Sequence, residues 1–301
     1  MPEPNLQSAR QAINGQFPDL AIHTMESLGE GFRNYAVLVN GEWVFRFPKS
    51  RQGADELEKE IRLLPLLHHQ VKVGIPKFEF IGRLPDGRSF AGYRKVSGEL
   101  LGDDGFAVLS NETQELLASQ LADFMNTLNE FPVEFAIQAG VPSYNHKADA
   151  LELWKTAQKQ VYPIVAASVR DYLEQRFQSY LEDQSNFAYT PALIHADLSP
   201  DHFLLDPLKT RLTGIIDFGD AATGDPDYDY LYLLEDCGES FTRQVMLYRG
   251  VDHPDLLLRK VSWFVTFDQV RYLLEGLASG KEEWIAEGLE VVEDDRLKNA
   301  T

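Results

Sequence analysis

The sequence predicts an α+β protein in two unequal parts, a small strand-rich one first and a larger, mostly helical one after it. Three observations lead there. Apolar runs of β-type composition, punctuated by turn signals, fill the first 92 residues or so. Helical spacing takes over after Gly98. Strand-like runs return only briefly, between Ala192 and Phe218.

The elements follow in order. Residues 35–39 (Tyr-Ala-Val-Leu-Val) and 43–47 (Trp-Val-Phe-Arg-Phe) flank Asn40-Gly41, a strong hairpin turn signal. Over 55–64, Leu57, Ile61 and Leu64 recur at helical spacing with Glu60 on the flank. Pro65 lacks the N–H that would bond back to residue 61, so the helix is predicted to kink or stop there. Strands over 78–81 and 89–96 are joined by the turn Leu84-Pro85-Asp86-Gly87. Ser110 and Asn111 can cap a helix that carries Leu117, Leu121, Phe124 and Leu128 on one face. Residues 149–182 read as one or two amphipathic helices interrupted at Pro163. Short apolar strands follow at Ala192-Leu193-Ile194, Phe203-Leu204-Leu205 and Leu212 to Phe218, and 228–297 is again mostly helical. The parts are 1–92, a connector over 93–99, and 100–301.

At 301 residues the chain suggests two domains or lobes, and 44% hydrophobic with 25% charged residues is enough for a sizeable core. No apolar run reaches the ~18 residues of a spanning helix. The start Met1-Pro2-Glu3-Pro4-Asn5 lacks the pattern of a secretory signal. A single cysteine, Cys237, fits a reducing compartment, so a cytoplasmic monomer without membrane attachment is expected. The net charge, 28 − 47 = −19, argues against nucleic acid as partner. It either concentrates cationic ligands or serves solubility alone.

Chemistry concentrates in 193–229. His195-x-Asp197 lies on a loop between two apolar runs, His202 follows five residues after Asp197, and Asp217 ends the next apolar run. Phosphoryl transfer needs such a set: one carboxylate to orient a hydroxyl and take its proton, and other ligands to hold Mg²⁺ against phosphates. The remaining histidines show no metal-ligand spacing, and His68-His69 reads as a surface helix end. Glu293, Asp294 and Asp295 read as an exposed acidic tail.

The segment from Leu193 to Asp206, with Gly214-Ile-Ile-Asp-Phe-Gly-Asp220 and Asp225-Pro-Asp-Tyr-Asp229, resembles the aminoglycoside phosphotransferases of the eukaryotic-protein-kinase-like fold, most of all those acting on the 2″-hydroxyl. The resemblance implies a small β-rich N-terminal nucleotide-binding lobe, a hinge, and a C-terminal catalytic and substrate-binding lobe with a helical subdomain. It implies ATP or GTP as donor, Mg²⁺ as cofactor, an aminoglycoside as acceptor and antibiotic resistance as a role. Carried over by position, Asp197 would be the catalytic carboxylate and Asp217 the main metal ligand. His202 stands where most of the family has an asparagine metal ligand, as in some 2″-type members. His195 would hold the loop, and Asp225 and Asp229 would brace the loop or start a helix.

On the nucleotide side, Gly29-Glu30-Gly31-Phe32-Arg33-Asn34 resembles a phosphate-covering loop without its third glycine, and Glu60 matches the helix glutamate that pairs a strand cation. The usual lysine is Arg46, which keeps the charge and adds a bidentate fork; Lys49 could assist. Tyr93-Arg94-Lys95-Val96 resembles the purine-binding hinge, where a large tyrosine either narrows the pocket between ATP and GTP or simply fills the core. Ser199, Asp220, Glu235, Asp236, Glu239, Asp268 and Trp284 resemble substrate-lining positions, and each carboxylate taken alone reads equally as a solvated helix face. A macrolide or small-metabolite acceptor, or nucleotide binding without turnover, remains open.

Overall fold

The computed structural model describes residues 5–30 and 33–299. In chain order the elements are α1 (Leu6–Gln16), β1 (Met25–Glu30), β2 (Asn34–Val39), β3 (Trp43–Pro48), α2 (Arg51–Leu67), β4 (Phe78–Arg83), β5 (Ser89–Arg94), β6 (Glu99–Leu100), α3 (Asp103–Phe106) and α4 (Asn111–Glu130). After these come α5 (Val133–Gln138), α6 (His146–Gln160), α7 (Ala167–Glu182), β7 (Ala192–Ile194), β8 (Phe203–Leu205), β9 (Leu212–Ile215), β10 (Ala222–Gly224), α8 (Leu231–Tyr248), α9 (Pro254–Ser279) and α10 (Glu282–Asn299). The class is α+β, as the sequence predicts. Two compact units form, one from Met1–Gln120, Glu134–Pro142 and Asp201–Ala221, the other from Leu121–Val133, Ser143–Pro200 and Ala222–Thr301.

In the first unit the five-stranded sheet has the order β1-β2-β3-β5-β4, all antiparallel. Asn40 (φ 55°) and Gly41 (φ 69°) give the β2–β3 turn the two positive φ values that a tight hairpin of this hand requires. One face of the sheet buries Phe45, Phe47 and Phe90 against Ala9 and Ile13 of α1, with the Phe47 and Phe90 rings stacked at 4.9 Å. Ser50 caps α2 by accepting from Gly53 N at 3.1 Å. Of the kink or stop expected at Pro65, the stop does not occur. Helix α2 runs on to Leu67, because the proline removes a single ladder bond while Leu63, Leu64 and Leu67 are fully buried and His68 N still reaches Leu64 O. His68 itself is half-buried, with Nε2 3.1 Å from Pro76 O, so it is more than a surface helix end.

A second sheet, β6-β8-β9, lies in the same unit. Gly98 feeds into it at φ 124°, and a Cβ there would overlap Thr213 Oγ1 and crowd the Leu205 carbonyl. The predicted strand from Leu212 to Phe218 ends at Ile215, since Phe218 starts a 3₁₀ turn, Phe218–Asp220.

The second unit pairs β7 with β10 and surrounds them with helices. As predicted, Leu117, Leu121, Phe124 and Leu128 of α4 are buried, and the helical stretch around Pro163 is two helices, α6 and α7. Phe177 of α7 and Phe267 of α9 stack at 4.5 Å, with Tyr180 edge-on to Phe267 at 5.1 Å. The α10 acids are not all an exposed tail: Asp295 is buried and accepts from Tyr172 Oη and Thr266 Oγ1, both at 2.7 Å. Among the described residues no helix is long and apolar enough to cross a membrane.

Gly98→Ala combines a strained φ with two steric conflicts, and is expected to lower stability by about 3 kcal/mol or more in urea denaturation.

Candidate active site

In the first unit, β3, α2 and the turn after β9 converge on Asp217. Arg46 of β3 is buried, as is Glu60 of α2, and Arg46 Nη1 donates to Glu60 Oε2 at 2.8 Å. The other arm of the fork, Nη2, donates to Asp217 Oδ1 at 3.2 Å. Burial works against the charge on Arg46, but the carboxylates of Glu60 and Asp217 outweigh it and hold the guanidinium above its ordinary value. Asp217 Oδ2 lies 3.8 Å from His202 Nε2. Backbone geometry fixes this neighbourhood, since Ile216 N donates to His202 O at 3.1 Å, directly before Asp217.

Asp217 sits at φ 62°, a left-handed conformation uncommon outside glycine and enriched for Asp. Its own Oδ1 accepts from Gly219 N at 3.4 Å and steadies the turn. Asp220, three residues on, is an ion-pair neighbour of Arg33 at 3.7 Å, and Arg33 also pairs with Glu56 of α2. Lys59, between those two α2 acids, donates to Gly219 O at 2.5 Å and Ala221 O at 2.8 Å. Tyr93 is buried among Leu38, Val44, Phe78 and Val96, and burial pushes its phenol up to about 12.

In the second unit the His195-Ala196-Asp197 loop hangs on Asp229. His195 N donates to Asp229 Oδ2 at 3.1 Å and Ala196 N to Asp229 Oδ1 at 2.7 Å. Ala196 has φ 66°, which an alanine holds only where its surroundings over-determine it. Burial pushes the Asp229 carboxyl up to about 6, against the pull of the two N–H groups. Asp225 starts the next 3₁₀ turn by accepting from Asp227 N, and Lys260 Nζ lies 2.6 Å from its Oδ2. Both acids thus hold the loop and the turn, as the resemblance implies. Asp197 is half-buried, and Ser199 is buried.

Residues 24–256 match the phosphotransferase enzyme family APH. Across 98% of its length the chain is 60% identical to aminoglycoside 2′-phosphotransferase-IIIa solved as its GDP complex, covering 100% of that chain with a TM-score of 0.96. This chain belongs to the aminoglycoside phosphotransferase family. To APH(2″)-IIIa solved with GDP and kanamycin, the phosphotransferase is 61% identical over 97% of its own length and 99% of that chain, with a TM-score of 0.95. A curated relative, the uncharacterized protein YcbJ of Bacillus subtilis (strain 168), is 33% identical over 76 residues, 25% of this chain. That match spans 24% of YcbJ's length. The kinase-like fold of the family is the fold of this phosphotransferase.

The acids named for the substrate side lie at several places. Asp268 accepts from Tyr232 Oη at 3.3 Å, and the Tyr232 phenol is held above its ordinary value by burial and by Asp268, with Asp197 near enough to add to it. Glu235 accepts from Gln269 Nε2 at 3.1 Å, and Glu239 from Arg243 Nε at 2.8 Å. Between these two acids α8 breaks at Gly238 (φ 81°, ψ 169°), which turns the acidic stretch out of regular helical register. Glu235 and Glu239 line a cleft of about 640 Å³ that also carries Arg176, Arg243, Arg259 and Lys298, so its walls are of mixed charge. Asp236 is exposed. Trp284 of α10 lies under Lys281, whose Nζ is 3.5 Å from the ring centre.

Among the nucleotide-side residues, Gly31 lies outside the described residues, and Gly29 belongs to β1, next to a register shift, rather than to a loop. Lys49 N donates to Arg33 O at 2.8 Å. Arg94 pairs with Glu42 at 2.5 Å and covers the Trp43 ring, and Lys95 N donates to Glu42 O at 2.7 Å. Sequence reasoning missed Arg33, Glu56, Lys59 and Tyr232. The signal for Glu56, Lys59 and Glu60 was their i, i+3, i+4 spacing, which puts all three on one helix face.

Asp229→Asn leaves one oxygen to serve two N–H groups and is expected to lower stability by about 1–3 kcal/mol. A carboxyl raised in the fold from 3.8 to about 6 contributes stability fully below the unfolded value and loses it as pH rises through the folded one. The wild-type advantage over Asp229→Asn should therefore shrink as pH is raised from 4 to above 6, as read from urea melts across that range.

Proposed function

We propose that this phosphotransferase moves the γ-phosphoryl group of GTP onto a hydroxyl of an aminoglycoside, the 2″-hydroxyl. The observation that carries the reading is the 61% identity, over nearly the whole of both chains, to an enzyme solved with GDP and kanamycin. The strand-rich part, 1–92, takes the nucleotide, 93–99 serves as hinge, and 100–301 supplies the catalytic carboxylate and the acceptor site. Tyr93, buried and neutral at the entry to the hinge, supports selection of guanine over adenine by narrowing the space beside it.

Asp197 orients the acceptor hydroxyl and takes its proton as the oxygen bonds to the γ-phosphorus and the bridging oxygen leaves with the nucleoside diphosphate. Its aim is supported by the bonds that the two residues before it donate to Asp229. Arg46, kept charged by Glu60, offers positive charge toward the phosphates. One carboxylate and an imidazole fit an ion that keeps water and phosphate oxygens as its other ligands, so Asp217 and His202 would hold Mg²⁺. When bound, Mg²⁺ neutralises charge on the phosphates. Glu235, Asp268 and the overall charge of −19 suit a polycationic acceptor.

The test is a mass spectrum of kanamycin, gentamicin, a macrolide and choline, each incubated with the protein, Mg²⁺ and ATP or GTP. A phosphoryl gain confined to aminoglycosides, and larger with GTP, is the expected result; gain on the macrolide or choline overturns the acceptor. Asp197→Asn is expected to cut turnover by about 10²–10⁴ while nucleotide affinity holds. Undiminished transfer in that variant removes Asp197 from the chemistry. Glu235→Gln combined with Asp268→Asn is expected to weaken kanamycin binding by about tenfold or more in calorimetry, with GDP binding unchanged.

A further inference from the structure

We infer that Lys59 is a positioning residue for phosphoryl transfer: its ammonium ties the carbonyls on either side of Asp220 to α2 and so holds the turn that carries Asp217. The inference rests on the reading of Asp217 as the metal-holding carboxylate.

Lys59 is 5% exposed. A lysine so enclosed is costly unless hydrogen-bonded. Its hydrogen-bond acceptors here are two main-chain carbonyls, Gly219 O at 2.5 Å and Ala221 O at 2.8 Å. Both belong to the end of the 3₁₀ turn Phe218–Asp220, where carbonyls have run out of partners within the turn. The acids Asp220 and Glu60 lie near enough to attract the same ammonium.

The turn needs such a hold. It begins at Asp217 in a left-handed conformation, which costs about 1–3 kcal/mol and persists only where the surroundings over-determine it. Arg46 grips the Asp217 side chain from β3, and Lys59 grips the backbone just beyond it from α2. The α2 face also comes close at Gly219, where a Cβ would stand 3.8 Å from Glu60 Oε1 and 3.9 Å from Glu56 Oε2. Lys59 therefore sets where the Asp217 carboxylate points without touching it. The same two bonds flank Asp220, so the direction of that acid depends on Lys59 as well.

The test compares Lys59→Met, which keeps the stem and removes the ammonium, with Lys59→Arg, Asp217→Asn and the wild type. The first readout is calorimetric: the gain in GDP affinity on adding Mg²⁺. The second is kanamycin phosphorylation by GTP as a function of Mg²⁺ concentration. Lys59→Met is expected to lose about 10–100-fold in kcat, to need more Mg²⁺ for half-saturation and to show a smaller Mg²⁺-dependent gain in GDP affinity. Lys59→Arg, which can reach both carbonyls, is expected to restore most of each loss.

A Lys59→Met enzyme with wild-type Mg²⁺ dependence in both readouts overturns the inference, whatever its melting temperature. Should Lys59→Met fail to fold, Lys59→Gln, which keeps an uncharged donor, takes its place. An intermediate Mg²⁺ requirement in Lys59→Gln supports the inference, and an unaltered one overturns it. If Asp217→Asn keeps wild-type turnover, the metal reading itself falls. If Asp217→Asn is inactive and the Lys59 variants behave as wild type, only the present inference falls.

Discussion

The organisation of the first unit depends on one buried ion pair, Arg46 with Glu60. A guanidinium on β3 and a carboxylate on α2 are both enclosed and meet at 2.8 Å, so neither element can rotate without stranding a charge away from water. Removing one partner of such a pair costs about 3–5 kcal/mol, whereas replacing both with well-packed apolar residues often costs nothing. Stability therefore does not explain why the pair is ionic. The second arm of the guanidinium does, because it ends on Asp217. The pair sets the position of the helix, and the helix then presents Glu56, Lys59 and Glu60 to the turn behind Asp217.

The second unit solves a similar problem with different parts. Asp197 follows Ala196 at φ 66°, just as Asp217 itself sits at φ 62°, and in both places a charged group distant in sequence keeps an unfavourable backbone in place. For the loop at Asp197 that group is Asp229, bonded through both oxygens to successive N–H groups. Each of these strained positions is thus braced by a separate element of its own unit.

Much of this was legible beforehand, and the limits have physical causes. The strands at 35–39 and 43–47 announced themselves because Asn40-Gly41 supplies two positive φ values that few other dipeptides can. Asp197, His202 and Asp217 stood out through their spacing between apolar runs and the family resemblance, and the structure brings His202 and Asp217 within 3.8 Å of each other. At Pro65 the helix does not stop, because one missing bond near a helix end weighs less than three buried leucines. Asp295 misled because an acidic run looks solvated until Tyr172 and Thr266, far off in sequence, arrive to donate to it. Lys59 stayed hidden for the same reason: its partners are carbonyls, and a carbonyl leaves no mark on a sequence.

The arginine at position 46 can be understood on these terms. A lysine ammonium is a compact point charge on a flexible stem, whereas a guanidinium offers separate donors in a rigid fork. Arg46 uses that difference, giving Nη1 to Glu60 and Nη2 to Asp217. Both carboxylates are thereby tied to one guanidinium, and Asp217 is oriented by a buried strand residue. The fork ties up the Asp217 oxygen that faces it, while the other oxygen lies toward His202 at 3.8 Å. Burial alone would drive the guanidinium toward neutrality, yet the two acids keep it charged. At position 46, where the resemblance implies a lysine, the arginine thus keeps the charge and adds direction toward Glu60 and Asp217.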